Sequence, residues 1–152
     1  MKRAIALIAA LLFLTGSAAA ERRWVMCRSY VNIRLSPDKG SAEVGRLDSG
    51  EWFETDGQER NGFIRAIGVG DFGEGWIFAG YTVEDEPERT DTEFTCVAVK
   101  RVACRKWTDG PRIKGKTGWL YNGTDVMVYW RTGEWSLTSR GYIRSEWLEE
   151  TE

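Results

Sequence analysis

The sequence predicts an all-β chain built from two small units in tandem, and three observations carry that prediction. Apolar residues alternate at period two in short runs, at Val31/Ile33, Phe53/Thr55, Val97/Val99 and Val126/Val128. That spacing sends one side of a strand inward and the other outward. Turn dipeptides separate the runs: Asp56-Gly57, Asn61-Gly62, Asp109-Gly110 and Asn122-Gly123. The same landmarks then recur in the same order along the two halves. Beyond residue 20 there is no stretch with a clean helical period.

The segment before the first strand reads as a signal peptide over residues 1–20. Lys2 and Arg3 form a basic start, residues 4–14 are an unbroken apolar run, and Ala18-Ala19-Ala20 closes it. Cleavage after Ala20 leaves Glu21 as the mature N-terminus. The apolar run falls well short of the roughly 20 residues of a spanning helix, so no stable membrane insertion is expected. The first cysteine, Cys27, is too far from the run for a lipid anchor. The expected location is secreted or extracytoplasmic, in the periplasm or cell wall.

Residues 82–93 hold one valine, no aromatic side chain and a run of acids around Pro87. Such a composition cannot bury a core and reads as an acidic linker. It divides the mature chain into a first unit, 21–81, and a second, 94–152. The units superpose by landmark. Val31-Asn32-Ile33-Arg34 falls on Val102-Ala103-Cys104-Arg105, and Leu47-Asp48-Ser49-Gly50 on Leu120-Tyr121-Asn122-Gly123. Phe53 and Thr55 fall on Val126 and Val128, and Gly75-Trp76-Ile77 on Gly141-Tyr142-Ile143. The expected first core is Val31, Ile33, Leu47, Phe53, Trp76 and Ile77. The expected second is Val102, Leu120, Val126, Val128 and Ile143.

The run Tyr30-Val31-Asn32-Ile33-Arg34-Leu35-Ser36-Pro37 resembles the opening signature of bacterial SH3-like domains. Val44-Gly45-Arg46-Leu47, Gly50, Asn61-Gly62-Phe63-Ile64-Arg65 and Gly75-Trp76-Ile77 follow in that family's order. The second unit resembles the family less. Ala103 replaces the asparagine, no proline follows Arg105, and the stretch around Trp107 is rewritten. The resemblance implies two tandem SH3-like barrels, secretion, and recognition of bacterial cell wall, either peptidoglycan or its peptide bridges. It also implies that any hydrolase is a separate partner.

The chain has no histidine and three cysteines. A Ser-His-Asp triad, a Cys-His dyad and a His-containing or four-cysteine zinc site are therefore excluded within it. No metal and no cofactor is expected. With 21 Lys and Arg against 23 Asp and Glu, the chain lacks the basic excess that nucleic acid demands. Carboxylate pairs remain, but among so many acids a pair carries little information. Asp71 and Glu74, in the loop from Gly68 to Gly75, read as an ordinary polar hairpin. Gly68-Val69-Gly70 has no following helix and is not a dinucleotide fingerprint. The expectation is a protein without enzymatic activity.

Three further groups of residues complete the reading. Cys96 and Cys104 are placed to form a disulfide across the second unit, with Cys27 left over; the alternative is three small buried hydrophobic side chains. Arg34 and Arg105 precede long loops and read as forks that tie a loop carbonyl or carboxylate. The chain's eight tryptophans exceed what small barrels can hide. Trp76 and Trp135 are expected in or near the cores. Trp52, outward by alternation, together with Trp107 and Trp130 in loops, are the candidate ligand-binding residues. The alternative for these three is packing between the units. The function expected is a secreted, non-catalytic binding protein for cell wall, peptidoglycan or a surface peptide. The second reading is an exported protein–protein interaction or inhibitor module.

Overall fold

The computed structural model describes residues 20–152; apart from Ala20, the signal-peptide reading lies outside the described residues. The chain is all-β. The first half contributes β1 (Glu21–Val25), β2 (Tyr30–Arg34), β3 (Glu43–Asp48), β4 (Trp52–Thr55), β5 (Glu59–Arg60), β6 (Phe63–Ile67), β7 (Glu74–Phe78) and β8 (Thr82–Val83). The second contributes β9 (Glu88–Cys96), β10 (Arg101–Ala103), β11 (Trp119–Tyr121), β12 (Asp125–Arg131), β13 (Trp135–Thr138), β14 (Gly141–Arg144) and β15 (Leu148–Glu150). The first sheet runs β3-β2-β7-β6-β4-β1-β8, with β5 beside β6. The second half holds the pair β10-β11 and the sheet β14-β13-β12-β9-β15.

The two halves repeat each other bond by bond. β1 pairs with β4 and β8, and β9 pairs with β12 and β15. The Val25 amide donates to Glu51 O, and the Cys96 amide to Thr124 O. The Gly50 amide donates to Val25 O, and the Gly123 amide to Cys96 O. The Met26 amide reaches Tyr81 O, and the Val97 amide reaches Trp147 O. Arg34 stands opposite Trp76, and Arg105 opposite Tyr142. The duplication read from landmark order is therefore a duplication of backbone pairing.

Alternation fixes the cores. In β2 Val31 and Ile33 are buried, and in β12 Val126 and Val128 are buried. Phe53 and Ile77 complete the first core, with Leu47 packed against it. Leu120 and Ile143 complete the second, with Val102 packed against it. Trp76 differs from its expectation. Its neighbours Gly75 and Ile77 point inward, so period two turns Trp76 to the half-buried outer side. The turn dipeptide Asn61-Gly62 joins β5 to β6 with φ of 52° and 80°, the left-handed pair that a two-residue hairpin needs.

Two expectations are corrected. The segment 82–93 is not a free linker. Thr82–Val83 forms β8 on β1, and Pro87 is buried. Residues 88–93 open the long strand β9, whose backbone is held by β12 through Thr92↔Val128 and Arg89↔Trp130. The acids of that strand stay exposed, because a strand needs only its backbone paired and one face covered. The Cys96–Cys104 disulfide is also absent: all three thiols are free and buried. Cys96 and Cys104 fill the positions that Val25 and Ile33 fill in the first half, so they serve as small apolar fillers.

With β8 and β9 pinned, the halves share a third core. Met26 and Val83 from the first half pack with Trp135, Leu137 and Tyr142 from the second. The Tyr142 hydroxyl donates to Met26 O at 2.5 Å. Burial holds the Tyr142 phenol well above its usual range and keeps it a neutral donor. The Tyr81 and Tyr142 rings stack across the seam at 6.4 Å.

Candidate functional site

The candidate site is an aromatic cleft of about 430 Å³ where the first half meets the second. β2 and β7 meet at Arg34 opposite Trp76, and past that point a gap opens between them. Tyr30, Val31 and Asn32 form one wall, and Phe78 and Tyr81 form the other. The strand period explains the lining. Val31 and Ile77 turn into the barrel, so their neighbours Tyr30 and Phe78 turn out toward the gap. Phe63 and Trp107 complete the aromatic surface, and Trp107 comes from the second half.

The rings hold one another edge to face. Phe78 lies at the centre, with ring centroids 5.7 Å from Phe63, 5.0 Å from Tyr81 and 5.0 Å from Trp107. Such contacts fix ring orientation beyond simple burial. Trp107 is clamped between two glycines. A Cβ on Gly80 would stand 2.4 Å from its ring, and one on Gly110 would stand 2.6 Å away. The loop below it is tied across the seam, because Thr108 gives both its amide and its hydroxyl to Gly80 O at 3.1 and 3.0 Å.

The rim is polar. Arg34 donates to Ser41 O at 2.9 Å and lies 3.7 Å from Glu43. Asn32 donates to the same Glu43 at 3.0 Å. Lys39 lines the cleft and forms no ion pair among the described residues. Arg105 plays the Arg34 part in the second half, donating to Gly110 O at 2.7 Å. Both arginines are thus the loop forks that their positions suggested. The arrangement offers flat apolar faces, one amide and two cations. It suits an extended chain with apolar groups and a carboxylate.

The structure does not bring the three candidate tryptophans together. Trp107 lines the cleft, but as a half-buried packing ring at the seam. Trp130 packs on Gly50, where a Cβ would come within 2.7 Å of its ring. It borders a separate polar cavity with Arg28 and Asp48. Trp52 is 46% exposed, faces neither cavity, and carries the Arg22 guanidinium 3.8 Å above its ring. Trp135 is buried in the third core. Asp71 is exposed, and Glu74 joins Asp56 in pairing with Arg65. The Asp56 carboxyl sits below its usual range, chiefly through the Gln58 amide and further through Arg65. These acids tie a hairpin together. Tyr30, Phe63, Phe78 and Tyr81 were missed as site residues. The signal for Tyr30 and Phe78 was their place beside inward residues.

No family model matches the chain, and no curated protein does. Among solved structures, the chain is similar to NlpC1 and NlpC2 from Trichomonas vaginalis, each at 13% identity and a TM-score of 0.38. The similarity covers 90% and 88% of this chain but 48% and 49% of those, so the chain spans about half the length of each.

Proposed function

We propose that this chain is an exported, non-catalytic binding protein that recognises bacterial cell wall, through peptidoglycan or its peptide bridges. One observation carries the reading: five aromatic side chains from both halves line one cleft rimmed by Asn32, Arg34 and Lys39. Aromatic faces bind sugar rings and apolar side chains, and a cationic rim favours the carboxylates of short wall peptides. The resemblance of residues 24–81 to bacterial SH3-like domains points the same way. In this reading any cutting belongs to a separately encoded hydrolase.

Co-sedimentation of the purified protein with peptidoglycan of several wall types tests the reading. The protein is expected in the pellet, and Tyr30→Ala, at an exposed ring, is expected to move it to the supernatant while its unfolding temperature changes little. Absence from every pellet, or wall hydrolysis by the purified protein, overturns the reading.

A further inference from the structure

The duplication places a second cleft in the second half, and its chemistry differs from the first. Between β10 and the end of β14 lies a gap of about 430 Å³. Where the first cleft has Tyr30, Phe78 and Tyr81, the second has Arg101, Arg144 and Trp147. Arg34 is repeated as Arg105. The site has been kept and its walls exchanged, from aromatic to cationic.

The charge of this cleft is uncompensated in large part. Lys100, Arg101, Arg105 and Arg144 line it, and no acid does. Arg144 is already paired with Asp109 and Glu134. Lys100, Arg101 and Arg105 form no ion pair among the described residues. The Arg101 guanidinium lies over Trp119, 4.0 Å from its ring centroid, which holds it in place without neutralising it. This happens in a chain of net charge −2. Beside the cations stand Val99, 97% exposed, and Trp147, 36% exposed.

The backbone adds the second requirement. Lys100 O accepts from the Asn122 amide, and the Cys104 amide donates to Gly118 O, both on the β11 side. Antiparallel alternation then turns the amides and carbonyls of Arg101 and Ala103 to the opposite edge, the edge on which Arg105 meets Tyr142. That edge borders the cleft. Among the described residues no strand pairs with that edge beyond Arg105, and such an edge beside apolar and cationic side chains matches strand addition, in which backbone bonds give affinity and side chains give selectivity.

We propose that the second cleft binds an extended acidic peptide segment of a partner protein, laid along the open edge of β10. Carboxylates of the segment face Lys100, Arg101 and Arg105, and its apolar side chains rest on Val99 and Trp147. A phosphate polymer would meet the cations but has no alternating donors and acceptors for the edge.

The test is titration of the full protein with a short peptide alternating glutamate and valine. Comparison probes are its lysine–valine counterpart, the glutamate peptide with alternate amides N-methylated, and a poly(glycerol phosphate). Saturable binding of the glutamate peptide is expected, weakening as salt rises. The double variant Lys100→Glu and Arg101→Glu is expected to lower that affinity about tenfold or more. Trp52→Ala, at an exposed ring that lines neither cleft, is expected to leave it unchanged. All three substitutions are at exposed positions, and an unchanged near-ultraviolet circular dichroism spectrum confirms the fold of each variant. The proposal is overturned if the glutamate peptide does not saturate or if the lysine peptide binds equally well. It is also overturned if N-methylation costs nothing, if only the phosphate polymer binds, or if the double variant binds as the parent does.

Discussion

At the residue scale, single positions hold the seam between the halves. Gly50 has φ of 90°, and a Cβ there would meet the Trp130 ring at 2.7 Å. Gly50→Ala is therefore expected to cost about 1–3 kcal/mol, from backbone strain and displacement of the ring together. Denaturant unfolding of the variant measures it. Tyr142→Phe removes the hydroxyl that satisfies Met26 O and leaves that carbonyl buried and unpaired, a loss of about 1–3 kcal/mol by the same assay. Burial also raises the Cys104 thiol from 9.0 to about 11, and raises the Tyr142 phenol. The folded state favours the neutral form of both groups. Their contribution is complete below the pH at which the unfolded thiol titrates, and is lost as pH climbs. Stability is expected to fall between about pH 9 and 11, with a shallower fall in Cys104→Ala, as unfolding midpoints across that range would show.

At the element scale, β9 shows what sequence patterning reveals and what it hides. The chain around Pro87 carries no apolar alternation, so it read as solvent-exposed linker. Its acids are indeed exposed, but residues 88–93 are paired along β12, and backbone pairing leaves no mark in side-chain composition. The loop from Lys106 to Gly110 makes the opposite point. Arg105 read as a loop tie from position alone, and it does hold Gly110 O. Arg105→Lys keeps the charge but loses the rigid fork, so it is expected to cost about 1–2 kcal/mol and to speed proteolysis at the Trp107 loop. Timed protease digestion followed by mass spectrometry checks this. The cores were legible where period two runs along a strand, as at Val31/Ile33 and Val126/Val128; Val97/Val99 has the same spacing but lies in the loop between β9 and β10, with Val99 97% exposed. The cleft was only half legible. Alternation gives the outward direction of Tyr30 and Phe78, while the meeting of Phe78 with Trp107 depends on how two distant segments dock.

At the scale of the whole molecule, the two repeats are docked through a shared core. A tandem joined by a flexible linker would unfold in two steps. Here β8 and β9 are paired into the sheets, and the third core draws side chains from both halves. Thermal unfolding followed at far- and near-ultraviolet wavelengths is expected to give one coincident transition. Separate transitions would show that the seam is weak. The docking also explains how two copies of one fold come to differ. In the first half Trp107 lies across the cleft and favours aromatic neighbours, whereas the second cleft lies away from the seam and is lined with cations.

The proposed ligand site is the aromatic cleft at the seam. Two-dimensional NMR of the tryptophan indole N–H groups, during titration with soluble peptidoglycan fragments, tests it most directly. The Trp107 indole signal is expected to shift with saturation while those of Trp52 and Trp130 stay in place. A shift at Trp52 with Trp107 unmoved, or no shift at any tryptophan, would contradict it.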